Sequence, residues 1–111
     1  MDGANNRQHF RLEFPPSERP KLVVGKFELL VLEVSEGGCS VEADGAAASA
    51  FGHVGIRVSG TIVFSNGDRH PMEGEVVRMT ANSRISIKFI KGLTFAKMMD
   101  EDRRIRAKYR K

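Results

Sequence analysis

From Val54 to Phe64 the chain keeps a strict period of two: Val54, Ile56, Val58, Gly60, Ile62 and Phe64 fall on one face, Arg57, Ser59 and Thr61 on the other. A helix would scatter these apolar residues around its axis, whereas a strand gathers them on one side, so the stretch belongs in a sheet with one buried face. Ser65-Asn66-Gly67-Asp68 then reads as a hairpin turn. A two-residue loop at Asn66-Gly67 would set Ile62 across from Pro71 and Val58 across from Glu75, placing charge in the core. A loop one residue longer, or a bulge, sets Ile62 across from Met72, Gly60 across from Gly74 and Val58 across from Val76. A slip of one residue exchanges the two faces, so the longer loop is the expected one.

The remaining elements are short. Leu12 and Phe14 alternate with Arg11 and Glu13 in a first strand that Pro15-Pro16 closes, and Ser17 to Pro20 is expected to be a loop. Phe27 to Val34 is rich in long and branched apolar residues and stops at Gly37-Gly38, which predicts a strand. Cys39 and Val41 then share one face and Ser40 and Glu42 the other, making a strand-turn-strand hairpin. Asp44 to Gly52 connects, with room for a helical turn at Ala46 to Ala50. Ser83 to Ile90 is a last strand, with Ile85, Ile87 and Phe89 inward and Arg84, Ser86 and Lys88 outward. After Gly92 the apolar spacing becomes three and four, through Phe95, Met98, Ile105 and Tyr109, with Thr94 placed to cap a helix. The fold class expected is mainly β: a six-stranded antiparallel barrel, closed or nearly so, with one C-terminal α-helix.

A length of 111 residues suits one domain with a modest core. Within it, residues 1–11 are expected to be a flexible segment, 12–92 the barrel and 93–111 a helix with a basic tail. The longest uncharged apolar run, Leu29 to Leu32, is too short to span a bilayer, and the first residues lack the apolar region of a secretory signal. The lone Cys39 cannot form an internal disulfide, which suits a reducing cytoplasm, and its alternation with Val41 reads as core. His9, His53 and His70 have no metal-ligand spacing. Neither a nucleophile-histidine-acid order nor a phosphate loop is present, so a binding protein is expected rather than an enzyme. The net charge of +4 invites an anionic partner, yet six basic residues crowd the end: Arg103, Arg104, Arg106, Lys108, Arg110 and Lys111. With only Tyr109 beside them, these read as a solvated helix face and not as a specific nucleic-acid site.

Two short motifs carry the chemistry. Arg7 and Arg11 lie four apart near the N-terminus, and Glu33-Val34-Ser35-Glu36-Gly37-Gly38 forms an acidic-x-Ser-x-x-Gly turn between two strands. In this order and with this separation they resemble the PilZ domain family, small β-barrels that bind the bacterial second messenger cyclic di-GMP. The resemblance covers roughly residues 5–109. It implies that Arg7, Arg11, Glu33, Ser35 and Gly38 contact the ligand, joined by an arginine from a later strand. Arg78 is preferred to Arg84 for that role because the favoured register sets Arg78 across from Ile56.

The chemistry agrees with the resemblance. An arginine fork donates in pairs to phosphate or to guanine O6 and N7, and its face stacks on a base. A carboxylate can accept from the guanine N1–H and N2–H edge, and a serine hydroxyl can donate to phosphate. Glu33 departs from the family, which usually has Asp or Asn there; the extra methylene carries the carboxylate about 1.5 Å further. The resemblance implies a cytoplasmic receptor, without cofactor or metal, that orders its N-terminal segment over cyclic di-GMP and so couples messenger level to an effector protein. The alternative is a ligand-free adaptor of the same fold acting in motility, pilus or polysaccharide synthesis.

Overall fold

The computed structural model describes residues 11–43, 45–51, 53–80 and 83–109. The described residues form seven strands and two α-helices, besides one 3₁₀ turn: β1 (Arg11–Glu13), β2 (Lys21–Val24), β3 (Phe27–Ser35), β4 (Gly38–Glu42), α1 (Gly45–Phe51), β5 (Arg57–Val63), β6 (Arg69–Met79), β7 (Arg84–Lys91) and α2 (Phe95–Tyr109). β2 to β7 form a closed antiparallel ring in the order β3-β2-β5-β6-β7-β4, shut by the β3–β4 pairing. β1 adds to the ring from outside. It pairs with Glu33 to Ser35, while β2 takes Phe27 to Leu30 on the same edge of β3. The expected six-stranded barrel with its closing helix is therefore present.

The inward residues are those whose alternation the sequence displays. Val31, Val41, Ile62 and Val76 are fully buried, and Phe14, Phe64 and Met98 of α2 belong to the same core. Thr94 caps α2, its Oγ1 accepting from the Lys97 N–H at 3.1 Å. Among the described residues no helix is long and apolar enough to cross a membrane.

Four expectations need correction. The β5–β6 hairpin closes around Ser65-Asn66-Gly67, with the Phe64 N–H donating to the Asp68 carbonyl and the Gly67 N–H to the Phe64 carbonyl, both at 2.8 Å. Gly67 takes φ +97, which suits the left-handed last position of a three-residue loop. Ile62 therefore faces His70, Gly60 faces Met72 and Val58 faces Gly74. The inward set is the expected one, but each pair is displaced by two residues. This register matches a glycine against a large side chain, where the expected one would have set glycine against glycine. At Gly60 even a Cβ would lie 2.3 Å from the Val23 carbonyl oxygen.

Val54 is 69% exposed and precedes the strand, because the chain turns through Gly55 at φ +97 and reaches the sheet only at Ile56. Lys21 to Val24, with no strand expected, pairs on both edges; Gly25 at φ +59 makes the tight turn that returns it as β3. Finally, Pro16–Glu18 is a 3₁₀ turn and not open loop, and it buries Glu18.

Candidate functional site

The outer face of the barrel beside the β3–β4 turn collects the polar residues that the motifs pick out. β1 runs antiparallel to the end of β3, setting Arg11 opposite Ser35 and Glu13 opposite Glu33. Partners across a ladder share a face, so Arg11 and Glu33 project to the same side. Arg11 Nε lies 3.8 Å from Glu33 Oε1, a charge contact longer than a hydrogen bond. The placement depends on a bulge at Leu32, where the β3–β4 register shifts between Val31 and Glu33. The extra residue turns Glu33 outward while Val34 remains in the core.

Glu33 is held on its other side as well. Its Oε2 accepts from Ser40 Oγ at 3.4 Å and lies 3.8 Å from an Arg84 guanidinium nitrogen, with the glutamate side chain 19% exposed. The carboxylate thus sits between two guanidinium groups and below one hydroxyl.

The turn itself is organised by Ser35. Its Oγ accepts from the Gly37 N–H at 3.3 Å and donates to the Gly38 carbonyl at 3.4 Å, a local closure typical of serine in turns. The Phe89 N–H donates to the Gly37 carbonyl at 2.8 Å and ties the turn to β7. Gly38 is needed for packing: a Cβ there would stand 2.2 Å from the Ile87 carbonyl oxygen.

Arg11, Glu33, Ser35 and Gly38 therefore meet at one place. Arg7 lies outside the described residues, as does the rest of the segment before Arg11. Arg78 does not face Ile56, which bonds through its carbonyl to the Val76 N–H. A bulge between Val76 and Arg78 sets Arg78 opposite Ser86 instead. The outward row runs Glu33, Ser40, Ser86, Arg78 across β3, β4, β7 and β6. Arg78 thus stands three strand spacings, about 14 Å, from Glu33. The arginine brought to Glu33 is Arg84, whose alternation in β7 already aimed it outward. Ser40 was visible only as an outward residue, since its meeting with Glu33 depends on the bulge at Leu32. Guanidinium groups flanking a carboxylate suit a ligand that carries both anionic oxygens and an N–H edge. Among the described residues no cluster of His, Cys, Asp and Glu could hold a metal ion.

The comparisons with known proteins agree with this architecture. The family profile described as the PilZ domain matches residues 5–109. Four chains among solved structures match, one of them the PilZ domain with c-di-GMP of YcgR from Escherichia coli. That likeness has a TM-score of 0.61 at 14% identity and covers 91% of this chain and 89% of the other. No curated protein matches significantly. With the family profile spanning nearly the whole chain, the protein belongs to the PilZ domain family.

Proposed function

We propose that the protein is a cytoplasmic receptor for cyclic di-GMP and catalyses no reaction. The ligand lies on the outer face beside the β3–β4 turn, where Arg11 and Glu33 approach within 3.8 Å. This juxtaposition, set by the β1–β3 pairing, is the observation that carries the reading. The arginines take phosphate oxygens and guanine edges, Glu33 accepts from guanine N–H groups, and Ser35 and Gly38 shape the turn against which the ligand rests. Family membership supports the ligand class, as does the similar YcgR domain, whose structure contains c-di-GMP. Arg7 closes over the ligand from the segment before β1. The ordering of that segment presents a new surface to an effector protein.

Calorimetric titration with cyclic di-GMP at physiological salt tests the reading, with Arg7→Ala and Arg11→Ala measured alongside. The wild type should bind at micromolar concentration or tighter. Each alanine should cost about 1.5–3 kcal/mol, roughly a tenfold to hundredfold loss, as expected for charge-assisted hydrogen bonds. Absence of heat from the wild type, or arginine variants that bind unchanged, would overturn the receptor reading in favour of a ligand-free adaptor.

A further inference from the structure

Glu33 has both a like charge, Glu13, and Arg11 on its β1 side, Arg11 Nε lying 3.8 Å from Oε1, and Arg84 on the other side. Glu13 stands directly opposite it on β1, and directly opposed carboxylates repel. Away from Glu13 the carboxylate leans over β4, where Ser40 Oγ donates to Oε2 and the Arg84 guanidinium lies 3.8 Å from the same oxygen. β7 is two strand spacings from β3, about 9.6 Å, so this contact exists only because both side chains are long. Glu42, opposite Arg84 in the β4–β7 register, is the neighbouring carboxylate that competes for the same cation. An aspartate at position 33 would end about 1.5 Å short. A charge contact of 3.8 Å would then open past the roughly 4 Å that defines an ion pair.

We propose that Arg84 is a positioning residue for the ligand site, and that it and Glu33 work as a pair. The longer acid can serve at this position because an arginine two strands away fixes its far end over the outer face. Arg84 acts on Glu33 and not on the ligand. The inference rests on the cyclic di-GMP reading of the site.

A double-mutant cycle tests it: wild type, Arg84→Gln, Glu33→Asp and the combined variant, each titrated with cyclic di-GMP. The guanidinium NMR resonances of Arg84 are followed without ligand in the wild type and in Glu33→Asp. Arg84→Gln should weaken binding about fivefold or more in the wild type and leave the affinity of Glu33→Asp unchanged, the signature of coupled neighbours. The Arg84 resonances should move on Glu33→Asp even without ligand. An equal loss in both backgrounds would show that Arg84 touches the ligand directly and would overturn the proposal. So would unchanged affinity in both, or unmoved resonances. A wild type that takes up no cyclic di-GMP while the resonances still move would sink the receptor reading and leave the pairing standing. If Glu33→Asp binds too weakly to titrate, the resonances alone decide.

Discussion

Nζ of Lys108 lies 2.7 Å from Oε2 of Glu18, so the last turns of α2 are tied to the 3₁₀ turn that follows β1. Glu18 is only 1% exposed, and its Oε1 also accepts from Arg104 at 3.0 Å and from Ser65 Oγ at 2.7 Å. Arg104 reaches on to the buried Glu101 at 2.6 Å. One carboxylate thus joins α2, the β5–β6 hairpin and the turn leading out of β1. Glu18→Ala would remove the carboxylate shared by Arg104, Lys108 and Ser65 while Arg104 keeps Glu101, and losing these charge-assisted hydrogen bonds should cost about 3 kcal/mol. Lys108→Ala should cost under about 1 kcal/mol, because the lost ammonium is an exposed partner and Glu18 keeps Arg104 and Ser65. Urea unfolding separates the two, and equal small effects would show that the network is incidental.

Lys97 bridges the hairpin and α2, donating to Asp68 at 2.6 Å and to Glu101 at 3.2 Å. The hydrogen bond from Lys97, followed by that from Asn66, holds the exposed Asp68 carboxyl below its ordinary value of 3.8. For Lys97 burial is the largest influence and opposes the charge, but the bonds to Asp68 and Glu101 together outweigh it and hold the ammonium above 10.5. The depressed carboxyl contributes stability above pH 3.8 that fades as pH falls through its folded value. The raised ammonium contributes below pH 10.5 and fades as pH rises through its folded value. The melting temperature of Lys97→Met should therefore lie below that of the wild type by a constant margin from about pH 5 to 9, narrowing on either side. A margin that changes within that window would contradict the assignment.

The inward faces were legible because alternation survives single-sequence reading: Val58, Ile62, Ile85 and Ile87 are buried as the period of two requires. What escaped were features decided by contacts distant in sequence. β2 is four residues between Pro20 and Gly25, too short to show a period, and it becomes a strand because β3 and β5 flank it. The hairpin register turned on which three residues form the loop, a choice that a glycine opposite a methionine settles only in three dimensions. In the site, Arg11, Glu33, Ser35 and Gly38 were readable from local motifs, whereas the choice of Arg84 over Arg78 depends on bulges at Leu32 and Val77. The basic residues at the chain's end looked like a solvated face; Arg104 and Lys108 instead find Glu18, which no local pattern announces.

Cys39 is buried among core residues, and burial pushes its thiol up to about 12. At pH 8 only about one thiol in ten thousand would then be ionised, and the thiolate is the reactive form. Modification by an aromatic disulfide reagent, in which the thiolate forms a mixed disulfide and releases an aromatic thiolate, should therefore be undetectable in the native protein and complete in denaturant. Its rate should rise through the unfolding transition. Fast labelling under native conditions would show that β4 opens locally.

Gly38 separates packing from recognition in the acidic turn. An added Cβ would meet the Ile87 carbonyl oxygen at 2.2 Å and its carbon at 3.2 Å, both backbone atoms that no rotamer change can move. Gly38→Ala must therefore pry β4 from β7 at the Gly38–Lys88 pair, and overpacking of this kind costs about 2–3 kcal/mol. Ser35→Ala removes only the two turn hydrogen bonds and should cost about 1 kcal/mol. The expected outcome is a large loss of stability for Gly38→Ala in the complete absence of ligand, with a small one for Ser35→Ala. If Gly38→Ala unfolds at the wild-type urea midpoint, the close approach of β7 is not what requires glycine there, and the residue's role lies with the ligand instead.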